Sequence, residues 1–176
     1  MPDNVVNYGW FFVEKARRGD IPSVHEIDST SLVSKVSAGW IEERYDRYTD
    51  QFFVARRHKT GEVIGYLTAA GTGYYTEQLP GFVYMSRFAV KDQFRRCGVG
   101  SALIIMLYDH MVGDGHLGIV GDVRKSNTSS LNFFINKHCF LKHPFLSIPH
   151  AYDEGITQDD RYKVVVYKPF VMDGIR

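Results

Sequence analysis

The sequence predicts a single mixed α/β (α+β) domain in which strands outnumber helices, and three observations predict it. Phe and Tyr are abundant, 12 and 11 among 176 residues, and aromatic side chains favour pleated, half-buried surfaces. Several short apolar runs bounded by Gly, Pro or polar turns read as strands, whereas a few longer stretches carry apolar residues at helical spacing. A long strand-like run, Phe82 to Val90, passes through a Gly-bearing loop into a strongly apolar helix, a unit typical of layered α/β architecture.

The elements follow in order. Trp10 to Lys15 is apolar and β-prone. Asp20-Ile21-Pro22 is a helix start, an Asp cap followed by Pro in the first turn, and Val24 and Ile27 then fall at helical spacing. A second helix is expected over Leu32 to Arg44, with Val33, Val36, Trp40 and Ile41 on one face. Gln51 to Arg56 and Val63 to Ala70 read as a hairpin turning at Lys59-Thr60-Gly61-Glu62. Gly71-Thr72-Gly73 is a loop, and Gly81 precedes the strand Phe82 to Val90. The apolar helix, about Val99 to Met111, ends at Gly113 and Gly115. A strand from Leu117 to Val123, a helix over Ser129 to Lys137, a strand near Phe145 and a last strand at Tyr162 to Tyr167 complete the chain. Asp153 to Asp160 is an acidic loop. No repeat or linker interrupts this order, so residues 1–176 are read as one domain.

Composition narrows the function classes. Hydrophobic residues at 44% and charged residues at 23% exclude a disordered chain. A formal net charge of +1 gives no general attraction to nucleic acid or anionic membrane. No apolar run reaches the roughly 18 residues that span a bilayer, and Met1 to Asn7 lacks the order of a signal peptide. Cys97 and Cys139 form no disulfide framework, so a cytoplasmic setting is expected.

The informative stretch is Arg95-Arg96-Cys97-Gly98-Val99-Gly100, between strand and helix. Backbone N–H groups at a helix N-terminus have no internal acceptor, and the helix dipole adds positive potential, so the loop suits an anion. Glycines at 98 and 100 would let a diphosphate approach the main chain, and Arg95 and Arg96 would add charge-assisted contacts. The bland alternative is that the glycines only permit a tight turn. The loop is not a P-loop, because no Gly-Lys-Ser/Thr ends it, and Leu103 breaks the Rossmann glycine spacing.

Arg95, Gly98 and Gly100 resemble the Gln/Arg-x-x-Gly-x-Gly/Ala signature of the GCN5-related N-acetyltransferase (GNAT) superfamily. The run Val90 to Leu103 is similar to that family's strand, loop and helix. Val123-Arg-Lys-Ser-Asn127 with Ser130, Phe133, Phe134 and Cys139-Phe140 is similar to its second block, and Phe12 to Ile27 to its opening. The resemblance implies a mixed, mostly antiparallel sheet of about seven strands with about four helices in layers against it. It also implies that Phe82–Val90 and Leu117–Val123 are parallel and splay apart to admit acetyl-CoA. Main-chain groups of Phe88 and Val90 would then bond the pantetheine arm, and a backbone N–H near Phe88 or Ala89 would polarise the thioester. The diphosphate would sit on amides of Arg96, Cys97, Gly98, Val99, Gly100 and Ser101, with Asn127 and Phe134 also near the cosubstrate.

For catalysis the resemblance points to Tyr84, where many relatives place Glu and some protein N-terminal acetyltransferases place Tyr. Asp122 takes the position of a histidine on the neighbouring strand. The two are candidates for taking the amine's proton, directly or through water; the plain alternatives are packing for Tyr84 and pairing with Arg124 or a backbone group for Asp122. Phe134 departs from the family, which commonly has Tyr there to protonate the departing thiolate. A thiol with pKa about 8.5 can leave as an anion, so the general acid is assigned to no residue.

The expected acceptor is a peptide α-amine, a lysine, a polyamine or another small amine such as an antibiotic, with the protein N-terminal acetyltransferases the nearest likeness. Dimers are frequent in that family, so a homodimer is among the expectations. His110, His116, His138 and His143 show no zinc spacing with Cys139, and no metal is expected. Asn127-Thr128-Ser129 matches a glycosylation sequon with no sign of secretion, and Cys97 as a nucleophile is disfavoured. The acidic loop would be a solvated connection or a lure for a cationic amine. The competing readings are a GNAT-like module that holds CoA without turnover, supported by Phe134, and an unrelated nucleotide-binding α/β protein.

Overall fold

A computed structural model describes residues 5–71, 79–149 and 162–170; the acidic loop lies outside them. The elements are β1 (Val6–Asn7), β2 (Phe11–Lys15), α1 (Ile21–Ser31), α2 (Ala38–Arg47), β3 (Phe52–Arg57), β4 (Val63–Ala70), β5 (Phe82–Val90), α3 (Val99–Gly113), β6 (Gly118–Arg124), α4 (Thr128–Asn132), β7 (Leu141–Pro149) and β8 (Tyr162–Pro169). The strands hydrogen-bond in the order β1-β2-β3-β4-β5-β6-β8-β7. β5 and β6 are parallel, whereas β1–β2, β2–β3, β3–β4, β6–β8 and β7–β8 are antiparallel. The fold class is therefore the expected mixed α/β sheet. Its eight strands exceed the expected seven because Val6–Asn7 forms a two-residue strand on β2. No helix among the described residues is long and apolar enough to cross a membrane.

The chain divides into two compact units, residues 5–70 with 85–110, and residues 71, 79–84, 111–149 and 162–170. In the first, Val24 and Ile27 of α1 and Ile41 of α2 pack with Phe52 and Val54 of β3, Tyr66 of β4 and Ala89 of β5. Full burial of such side chains contributes about 1.5–3 kcal/mol each. Val90 and Val99 approach Gly65 so closely that a Cβ there would stand 3.2 Å from each. In the second unit, Val120 and Val165 are fully buried under Leu79, Phe82, Tyr84 and Tyr167.

Three local expectations change. The second helix starts at Ala38, not Leu32, and Ser37 caps it by accepting from Trp40 N at 3.1 Å. The backbone of residues 32–37 is committed elsewhere: Val36 N donates to the Asp28 carboxylate at 3.3 Å and Ser34 O accepts from Arg87 at 2.5 Å. Val33 is accordingly 81% exposed rather than on a packed face. Asp20 stands at the N-cap of α1 without capping it by side chain. Its carboxylate instead accepts from Arg17 N and from the Arg56 guanidinium, which also binds Glu14 at 2.9 Å. The helix expected over Ser129 to Lys137 is α4 followed by a π-helical turn, Phe133–Lys137.

The parallel ladder of β5 and β6 places the site residues, and it depends on Gly118. A Cβ at Gly118 would press into the Phe82 ring and stand 2.6 Å from the Lys168 carbonyl oxygen. Gly118→Ala is therefore expected to lower the unfolding free energy by about 1–3 kcal/mol, as overpacking usually does. Urea denaturation measures it, and an unchanged midpoint would contradict the packing described.

Candidate functional site

After β5, a 3-10 turn over Asp92–Phe94 leads into the loop. The loop folds tightly because Arg96 and Gly98 take left-handed conformations, with φ of 62° and 87°. Glycine adopts this backbone without penalty. Around Gly98 the space is open, with no atom within 4 Å of a notional Cβ. At the start of the following helix Ala102 N donates to Gly98 O at 3.0 Å. The amides of Val99 and Gly100 precede it and have no acceptor within α3, which makes this end suited to an anion. Arg95, Arg96, Cys97 and Gly98 are exposed, the Val99 side chain is buried, and Gly100 and Ser101 are partly buried.

The two arginines divide their work. Arg95 is turned back onto the protein: Nε donates to Val90 O at 3.2 Å, and Nη2 donates to Ser31 O at 3.4 Å and pairs with Asp92 at 2.8 Å. Arg96 stands exposed beside the loop. Val90 O, expected to meet the pantetheine arm, thus accepts from Arg95. Ala89 is buried in the core, and Phe88 is half-buried. Cys97 Sγ lies 3.5 Å from Arg95 O.

Along β5 the half-buried Tyr84, Ser86 and Phe88 alternate with the buried Val83, Met85 and Ala89, as strand geometry requires. The parallel register pairs Phe82 with Gly118, Val83 with Ile119 and Tyr84 with Val120, and both strands run on beyond it. Tyr84 and Asp122 therefore lie diagonally on one face of the ladder, and the Tyr84 hydroxyl donates to Asp122 Oδ1 at 2.5 Å. The two residues singled out from the sequence are in direct hydrogen-bonded contact. A phenol bonded to a carboxylate can accept a proton at oxygen and hand its own along the bond.

Asn127 is the N-cap of α4, its Oδ1 accepting from Ser130 N at 3.1 Å. Phe134 is 3% exposed, with ring centroids of Phe133 and Phe140 at 5.2 and 5.3 Å. Among the described residues no three His, Cys, Asp or Glu side chains are grouped to hold a metal ion.

Sequence reasoning missed a buried polar cluster in the first unit. Asp28, 0% exposed on α1, receives Arg87 Nε at 2.8 Å and Nη2 at 2.7 Å, together with the Tyr66 hydroxyl. Burial first, and then the bond to Asp28, push the Tyr66 phenol far above its ordinary pKa. The available signal was an arginine inside an apolar strand, since buried charges are rare unless paired.

The profile of the acetyltransferase (GNAT) family matches residues 21–139. Among curated proteins, none matches. Among solved structures, Ard1 from Thermoplasma volcanium is 22% identical, covered over 93% of this chain and 100% of its own, with a TM-score of 0.77. Diaminobutyrate acetyltransferase EctA from Paenibacillus lautus, solved with L-2,4-diaminobutyric acid and coenzyme A, is 19% identical over 90% and 95%, TM-score 0.72. Arabidopsis thaliana Naa50, solved with the bisubstrate analogue CoA-Ac-MVNAL, is 16% identical over 92% and 100%, TM-score 0.70. The profile match, on a sheet of this order with its Gly-bearing loop at the head of α3, makes the chain a member of the acetyltransferase (GNAT) family.

Proposed function

We propose that this acetyltransferase moves the acetyl group of acetyl-CoA onto a primary amine by direct attack on the thioester. The observation that carries the reading is the Tyr84–Asp122 hydrogen bond, 2.5 Å long, on the parallel ladder of a GNAT chain. An amine reaches the enzyme mainly as ammonium and must lose a proton before its nitrogen can attack. Tyr84 and Asp122 supply the acceptor for that proton, directly or through water. The nitrogen then bonds to the thioester carbon, the C–S bond breaks, and the electron pair leaves with sulfur. A backbone N–H at Phe88 or Ala89 is the proposed group that polarises the carbonyl oxygen. Phe134 offers no hydroxyl, and the thiolate is stable enough to leave unassisted, its parent thiol having a pKa of about 8.5.

The loop fits the diphosphate. The first amides of α3, the open space at Gly98 and the exposed Arg96 together offer donors and charge to an anion. Arg95 also donates to Val90 O and Ser31 O. A peptide α-amine is the favoured acceptor, because Tyr84 matches the N-terminal acetyltransferase pattern and Naa50 was solved with a peptide bisubstrate analogue. EctA, solved with a diamino acid, keeps small diamines in the same class. The buried, hydroxyl-free Phe134 favours one second reading, a CoA-holding module without turnover.

Acetyl-CoA is expected to raise the melting temperature of the protein, because a ligand that binds only the native state stabilises it. NAD and ATP should not. Gly100→Glu, which puts a carboxylate at the first turn of α3, should abolish the shift while the unliganded melting point stays close to wild type. Differential scanning calorimetry decides, and a full shift in the mutant would mean that the diphosphate lies elsewhere.

Tyr84→Phe should lower kcat by roughly 10²–10⁴-fold, the usual cost of a lost acid–base group. Asp122→Asn should cost less, since the amide oxygen of Asn can still accept from the Tyr84 hydroxyl. Acetyl-CoA affinity should be little changed in both. Steady-state rates across pH would show it, and full activity of Tyr84→Phe at every pH would remove the pair from the mechanism.

A further inference from the structure

The buried Asp28–Arg87–Tyr66 cluster of the first unit is assigned no chemical step, yet it is built on the strand that carries Phe88 to Val90 and touches the connection that follows α1. Asp28 is fully buried, and the Arg87 side chain is only 12% exposed. Removing two charges from water is costly, so a buried ion pair is weak evidence for stability and calls for another explanation. Here the guanidinium does more than neutralise Asp28. Its Nη2 donates to Ser34 O at 2.5 Å and Nη1 reaches Ser34 Oγ at 3.4 Å, while Asp28 accepts from Val36 N at 3.3 Å. The Trp40 ring centroid lies 5.9 Å from the guanidinium carbon. One ion pair thus holds the connection between α1 and α2 at Ser34 and Val36.

That connection and the last turn of α1 before it are tied by two arginines to residues of the proposed transferase site. Arg87 immediately precedes Phe88 to Val90 on β5. At the end of α1, Ser31 O accepts from Arg95 of the proposed diphosphate loop, and the same Arg95 donates to Val90 O. The order of attachment therefore runs from β5, through Arg87, along residues 34–31 to Arg95, and back to the end of β5.

We propose that Arg87 is a positioning residue for the transfer, holding the 32–37 connection in register with the β5 segment that presents the thioester. The inference rests on the acetyl-CoA reading above. It assigns to the pair an effect on turnover and on use of the amine, with cosubstrate affinity left to the loop at the head of α3. Lysine cannot replace Arg87, because an ammonium lacks the planar fork that serves Asp28 and the Ser34 carbonyl together.

The test compares wild type with Arg87→Lys and with the triple variant Asp28→Leu, Tyr66→Phe, Arg87→Met, which removes both charges and the phenol that would lose its acceptor. Exchanging a buried ion pair for apolar groups often leaves stability intact, and Arg87→Lys carries the test if the triple variant does not fold. Calorimetry gives the acetyl-CoA Kd, thermal denaturation the fold, and CoA release the kcat and the KM for the amine. The expected result is a Kd within about threefold of wild type and a kcat/KM for the amine lower by about tenfold or more, as small misplacements produce. A folded variant with wild-type kcat/KM would overturn the proposal while leaving the transferase reading intact. A wild-type protein that binds no acetyl-CoA would overturn the transferase reading and this one with it.

Discussion

Three parallel residue pairs, Phe82 to Tyr84 against Gly118 to Val120, determine where the candidate chemistry can be placed. A parallel ladder sets strand neighbours in slanted register, so a long side chain at Tyr84 reaches diagonally to position 122 on the next strand. The hydroxyl–carboxylate bond at 2.5 Å follows from this register. The register in turn needs Gly118, because the Phe82 ring and the Lys168 carbonyl occupy the volume a side chain would need. On its other side β6 is held by β8 from Gly118 to Arg124, which keeps Asp122 opposite Val165. A hydrogen bond between groups this far apart in sequence exists only because two backbones are locked together.

Buried charge does comparable work in the first unit. Arg56 is surrounded by Glu14 and Asp20, carboxylates that are 4% and 8% exposed. Burial pulls the Arg56 pKa down, but the bonds to Asp20 and Glu14 more than offset it and keep it raised. The arrangement joins β2, the start of α1 and β3, which explains why Asp20 gives its side chain to Arg56 rather than to the first turn of its helix. Asp28 and Arg87 join α1 to β5 in the same way. Each pair fixes the direction of a chain segment more than it adds to the hydrophobic stabilisation around it.

Much of the fold was legible in the sequence. The bounds of β4 and β5 coincide with the apolar runs read as Val63 to Ala70 and Phe82 to Val90, because strand patterning is local. The loop was legible too, since Gly98 takes the left-handed backbone that a glycine between strand and helix advertises. The start of α2 was not, because the partners of Ser34 and Val36 are Arg87 and Asp28, one 53 residues away. Local helical spacing over Leu32 to Val36 carries no trace of such bonds. Two-residue β1 was too short to show a pattern. At the site, family position singled out Tyr84 and Asp122, but only the ladder shows that the two touch. Sequence spacing also carried no sign that the Arg95 side chain bonds the carbonyls of Val90 and Ser31.

Chemistry at the amine is the point on which the account stands. The most direct measurement is CoA release from acetyl-CoA across a panel of peptides with free N-termini, diamines, polyamines and aminoglycosides, with mass spectrometry of the acceptor. The expected result is thiol release that depends on the acceptor, strongest with a peptide, and a product carrying one acetyl group on its primary amine. Tight acetyl-CoA binding with no acceptor-dependent release from any member of the panel would contradict it and leave a CoA-holding module.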